Sequence, residues 1–171
     1  MPAVLFVCMA NRFRSPLGAA IFRKALVDNL QPGSWQVSSA GTWAVPGLPV
    51  LPQVQQAARG LGLDLSGHFS AQLVRQHLED NDLVLVMQAG QREALLCEYP
   101  GFQESIHLLS QVAEGHTYDI PDAVGSRQEM AELVLELDSL IRGGFPSICA
   151  LADCRSRLRI DASNAKRHWL A

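Results

Sequence analysis

Two short runs, "AVLFVC" from Ala3 and "DLVLVM" from Asp82, are apolar at almost every position. A strand that meets water on one face alternates apolar with polar residues, so a run without alternation must be covered on both faces. Segments with helical spacing lie between and after these runs, which calls for a parallel sheet with helices on both faces, an α/β architecture. "WQVSSAG", ending at Gly41, and "SIHLL", from Ser105, supply two further strand candidates. Helices are expected after Ser15-Pro16 through "LGAAIFRKALVDNL", and in "LPQVQQAARGLG", "AQLVRQHLED" and "GQREALLCEYPG". "RQEMAELVLELDSLIRGG" has the cleanest 3.6-residue stripe. Ser15 and Pro16 suit the N-cap and first turn of the first helix. Residues 145–171 mix apolar and charged residues without a clear period. They read as a C-terminal extension, partly ordered, to a single domain over residues 1–144.

The 171 residues suffice for one domain with a sizeable core. A formal charge of -3 gives no reason to expect nucleic acid as a partner. Apolar stretches are too short for a membrane span, and the first residues lack the basic start and small-residue cleavage site of a signal peptide. A cytoplasmic location and no membrane contact are the expectation. Cys8, Cys97, Cys149 and Cys154 are too few for a disulfide framework and form no CxxC pair, so reduced thiols are expected. That leaves a single thiol available for chemistry.

Cys8 ends the first strand, and the segment "CMANRFRSP" carries the chain from strand into helix. Ligands of parallel sheets bind beyond the carboxyl ends of the strands. A thiol at that place, followed by a loop and a helix N-terminus, has its ionised form favoured. The loop supplies backbone N–H groups, and Arg14 supplies a guanidinium fork, so the segment reads as an anion nest with a nucleophile at its base. The competing reading is a buried structural cysteine at a strand end, with a Cys-x5-Arg spacing arisen by chance. No Gly-Lys-Ser/Thr follows, which disfavours a nucleotide P-loop.

Residues Cys8 to Pro16 resemble the signature loop of the low-molecular-weight protein tyrosine phosphatases. The likeness continues through "SSAGTWAVPGLPVLP", "GLDLSGHFSAQL", "DLVLVM" and "DIPDAVG", covering roughly Ala3 to Gly144 in order. The resemblance implies a four-stranded parallel sheet and a phosphatase acting on phosphate monoesters, protein phosphotyrosine foremost, without cofactor or metal. It makes Cys8 the nucleophile that becomes phosphocysteine, Arg14 the clamp on the phosphoryl oxygens and Asp122 the general acid, with Asp119 as fallback. Met9, Ala10, Asn11, Arg12 and Phe13 would line the phosphate loop, and Ser15 would hydrogen-bond the thiolate. Ser39 and His68 would support the loop through Asn11, a residue type that tolerates positive φ. Trp43, with Phe69, would wall the slot for an aromatic ring, unless either packs in the core. The partner would be a phosphorylated protein, bacterial relatives acting on tyrosine kinases that control surface polysaccharide. A monomer or weak dimer is expected.

Departures from the family pattern matter as well. Ala10 stands where glycine is usual. Arg12 replaces a small or aliphatic residue; it either adds a second cation for a more anionic substrate or, the plainer expectation, points into solvent. Phe13 replaces a second cysteine, and Ala123-Val124 follow Asp122 where proline and an aromatic are usual. Two other functions compete: an arsenate reductase of the same fold, and a phosphate-binding module without catalysis. The reductase would need resolving cysteines, and Cys97 is expected in the core of its helix. A zinc site from Cys149, Cys154 and His168 fits no common ligand spacing.

Overall fold

The computed structural model describes residues 1–31, 33–122 and 126–168; for Arg127 and residues 163–168 it describes the backbone only. Four parallel strands, β1 (Ala3–Cys8), β2 (Gln36–Gly41), β3 (Leu83–Val86) and β4 (Ile106–Leu108), form one sheet in the order β2-β1-β3-β4. The helices are α1 (Arg14–Asp28), α2 (Pro52–Gly60), α3 (Arg75–Asp80), α4 (Ala89–Glu98), α5 (Leu109–Glu114), α6 (Arg127–Gly143) and α7 (Phe145–His168).

The two-residue period of a strand splits β1 between two cores. Val4, Phe6 and Cys8 pack with Leu17 and Ile21 of α1 and Val134 and Ile141 of α6. Leu5 and Val7 pack on the other side with Leu78, Leu95 and Ile106. Both faces of the sheet are therefore dry, which accounts for the unbroken apolar runs. From β1 the chain winds to β2 on one side and later to β3 on the other. The order thus reverses at β1, and a crevice opens at its carboxyl end. Cys8 is the residue at that end.

Three segments differ from the sequence expectations. The helix expected over 71–80 begins only at Arg75, because the backbone before it is used elsewhere: the Ala71 carbonyl takes the Gly41 amide and the Leu73 amide reaches Gly41 O. Leu109, expected at the end of a strand, opens α5. Residues 145–168, in which no period was apparent, form α7, and its first turns belong to the core. Phe145 stacks 5.5 Å from Phe22, and Ile148 and Ala152 are fully buried. The stripe runs on through buried Ser156, a polar residue that hides the period. Further along, Arg159 Nε lies 2.9 Å from Oδ1 of Asp82, whose side chain is wholly buried.

α6 opens with the capping box that its sequence spells, Ser126 Oγ accepting from the Glu129 amide and Glu129 Oε2 from the Ser126 amide. Among the described residues no helix is long and apolar enough to cross a membrane.

Candidate active site

The segment from Cys8 to Ser15 closes a loop, four of whose carbonyls are taken from outside. Cys8 O accepts from the Thr42 amide, Met9 O from Trp43 and Arg12 O from Leu51, while the Asn11 carbonyl meets His68 Nε2 at 2.8 Å. No amide from Met9 to Phe13 donates to a backbone carbonyl among the described residues. Carbonyls held outward and amides left over are the arrangement that receives an anion.

Asn11 fastens this loop. It is fully buried with φ of 54°, a left-handed conformation that a short amide side chain tolerates. Its Nδ2 donates to Ser15 Oγ (2.8 Å) and Ser39 Oγ (3.0 Å), and its Oδ1 accepts the Ala71 amide (2.8 Å). Asn11, Ser39 and His68 are thus brought together around one residue. The carbonyl partner requires a proton on His68 Nε2. Burial lowers the pKa of His68 from its ordinary value, against a smaller opposing effect of that hydrogen bond.

Cys8 is buried with its sulfur 3.0 Å from Ser15 Oγ. Ser15 also lies 3.2 Å from the Ala40 carbonyl. The expectation that Ser15 caps α1 is corrected: the helix starts at Arg14, Phe13 is the cap residue and no side chain caps it. Ser15 is diverted to Cys8, Asn11 and Ala40, so the first-turn amides of α1 keep their partial positive charge.

Arg14 is the largest fully buried side chain among the described residues. Its Nη1 donates to Ile120 O (2.9 Å) and its Nη2 to Asp122 Oδ2 (2.7 Å), while the buried Nε has no partner among the described residues. One edge of the fork therefore ends in an unsatisfied donor and an ion pair to a carboxylate that is 47% exposed. A tetrahedral oxyanion satisfies such an edge with two parallel bonds. Asp119, the fallback acid, instead accepts the Ala89 amide at the start of α4 (2.7 Å).

The mouth is apolar and exposed. Met9 and Ala10 are exposed, Phe13 is buried, and Trp43 and Phe69 are 82% and 62% exposed, so neither aromatic packs in the core. Arg12 does not simply point into solvent: it is half-buried and its Nε donates to Pro49 O at 2.9 Å. The expectation for Ala123 and Val124 lies outside the described residues.

Sequence reasoning missed Gly41, although "SSAG" displays it. A Cβ there would stand 2.4 Å from Met9 O and 2.9 Å from the Asn11 amide, so only glycine lets β2 pass beneath the loop. It also missed Gln72, whose side chain bonds the Ala44 amide and Thr42 O, fixing the turn that carries Trp43. Cys97 is exposed on α4, not packed as expected, because the buried side of that helix is formed by Gln91 and Leu95. Burial pushes the Cys149 thiol up to about 11, and Asp153 adds to the rise. Among the described residues no cluster of metal-ligating side chains occurs, and the His168 side chain lies outside them.

Residues 3–153 match the low molecular weight phosphotyrosine protein phosphatase family. The chain belongs to that family of phosphatase enzymes. Its relatives divide by substrate. A protein-arginine-phosphatase of Geobacillus stearothermophilus is 30% identical over 139 residues, 81% of this chain and 90% of that protein. The low molecular weight protein-tyrosine-phosphatase YfkJ of Bacillus subtilis is 32% identical over 141 residues, 78% of this chain and 89% of that one. Among solved structures, a cysteine-to-serine mutant of the YwlE arginine phosphatase with a phosphorylated active-site serine superposes with a TM-score of 0.77. It is 25% identical, covering 82% of this chain and 91% of that one.

Proposed function

We propose that the protein hydrolyses phosphate monoesters on proteins, phosphotyrosine foremost, through a phosphocysteine on Cys8. The observation that carries this reading is the edge of Arg14: a buried Nε without a partner among the described residues, next to an Nη2 held by Asp122. A phosphoryl group in the loop takes that edge, with the Met9–Phe13 amides around its remaining oxygens. As phosphate displaces Asp122 from Arg14, the carboxylate takes up the proton that the Cys8 thiol gives up. The thiolate then attacks phosphorus as the ester oxygen departs, and Asp122 passes its proton to that oxygen. Water then attacks the phosphocysteine, Asp122 takes the water's proton, and inorganic phosphate leaves with the thiolate restored. Ser15 has one hydroxyl proton. With a neutral thiol it can be given to Ala40 O; with a thiolate it turns to sulfur, stabilising the leaving anion.

Asn11, Ser39 and His68 hold the loop on this reading, and Met9, Ala10, Arg12, Phe13 and Trp43 line it or its mouth. Family membership supports a phosphorylated protein as the partner, a tyrosine kinase among the candidates, and a cytoplasmic setting. The test is steady-state turnover of an aryl phosphate in the presence of a chelator. Turnover that C8S abolishes is expected. Phosphate binding without turnover would mark the chain as a binding module, and turnover retained by C8S would refute the assigned nucleophile.

A further inference from the structure

Arg12 is the one residue of the loop that adds a charge the proposed reaction does not use. Its side chain is tethered at one point, Nε on Pro49 O, and its backbone carbonyl at a second, on the Leu51 amide. The two terminal amino groups make no hydrogen bond or ion pair among the described residues. Pro49, which holds the guanidinium, pairs through its backbone with Phe69 across an isolated antiparallel bridge, and Phe69 is exposed. Trp43 hangs on Met9 O by its amide. The mouth therefore combines flat apolar surface with a cation whose fork is already anchored.

We infer that Arg12 selects phosphotyrosine sites flanked by acidic residues and disfavours phosphoarginine. The inference rests on the phosphatase reading above and names its substrate class. A neutral aromatic ring suits Trp43 and Phe69. A phosphorylated guanidino group retains cationic character beside the phosphoryl group, and bringing it between Arg12 and Arg14 sets like charges together in a partly dry site. A carboxylate one or two residues from the phosphotyrosine meets the open end of the Arg12 fork in bidentate geometry. Because one donor is already held, less side-chain freedom is lost when the carboxylate binds.

The experiment compares kcat/KM on one peptide frame in four versions: phosphotyrosine with Asp/Glu neighbours, with Asn/Gln neighbours, with Lys neighbours, and phosphoarginine with Asp/Glu neighbours. A small aryl phosphate is the reference. Acidic flanks are expected to exceed neutral ones by roughly fivefold, the scale of a partly exposed ion pair. The gain should shrink as salt is raised. R12Q should bring the acidic-to-neutral ratio to about one and relieve the discrimination against phosphoarginine, while R12K should keep part of both. The ratio is read within each variant, so a general loss of activity does not imitate the effect. A ratio unchanged in R12Q, or phosphoarginine preferred by the unaltered protein, overturns the inference. Absence of turnover on the aryl phosphate refutes the phosphatase reading itself.

Discussion

The nucleophile loop and the acid segment are the two halves of the site, and they are held in different ways. From Cys8 to Ser15 the loop is fixed by groups that a substrate does not need: Ser39, the Ala71 amide, His68 and the amides of Thr42, Trp43 and Leu51. The acid segment is held at Tyr118 by Ser110, at Asp119 by the Ala89 amide and at Ile120 N by Met87 O; among the described residues the other hydrogen bonds of Ile120 and Asp122 run to Arg14. On the proposed reading Arg14 is also the group that grips the phosphoryl oxygens. A preformed cradle thus faces an acid whose position depends on what the arginine holds. The difference fits the proposed division, with recognition of the anion in the first half and protonation of the leaving group in the second.

Removing the sulfur breaks the first half most completely. C8S should lose all measurable turnover while still binding inorganic phosphate, as phosphate protection against heat would show. Next in size is D122A, whose kcat on an alkyl phosphate should fall about 10² to 10⁴ fold, the range of a general acid. An aryl phosphate with a good leaving group should lose far less. Equal losses on both would place Asp122 outside proton transfer.

N11A tests the brace. It removes two donated bonds and one accepted bond and puts a poorly tolerated residue at φ 54°. Unsatisfied buried partners cost about 1–3 kcal/mol, so denaturant titration should show a loss on that scale together with reduced kcat. N11G, which relieves only the backbone strain, should recover a minor part.

The smallest effect is one of pH. Burial holds the pKa of His68 below its ordinary value, which is about 6.5. On acidification the unfolded chain takes the proton first, so stability is complete above about pH 6.5 and declines as pH falls through that value toward the lower folded pKa. The unfolding midpoint of the native protein should therefore drop more steeply below pH 6.5 than that of H68Q. The comparison is needed because His107 is shifted in the same direction. Equal slopes would remove His68 from the brace.

The nucleophile loop was the more legible half in the sequence, since strand, Cys-x5-Arg loop and helix are contiguous. What it concealed is tertiary. Ser15 has the chemistry of a cap, and only the approach of Asn11 and Ala40 redirects it. Gly41 and Ala71 matter because β2 and the strand-like stretch after Phe69 pass under the loop, contacts about thirty and sixty residues distant in sequence. The α/β order of elements followed from the apolar runs, whereas α7 was hidden by Ser156 on its buried stripe and by charged residues in its later turns.

The most direct measurement is acid-quenched trapping of the enzyme during turnover of an aryl phosphate, followed by peptide mass mapping. A phosphoryl group on the peptide containing Cys8, accumulating in D122A and absent from C8A, is the expected result. Continued turnover with the label on another residue, or with no covalent label at all, would contradict the account.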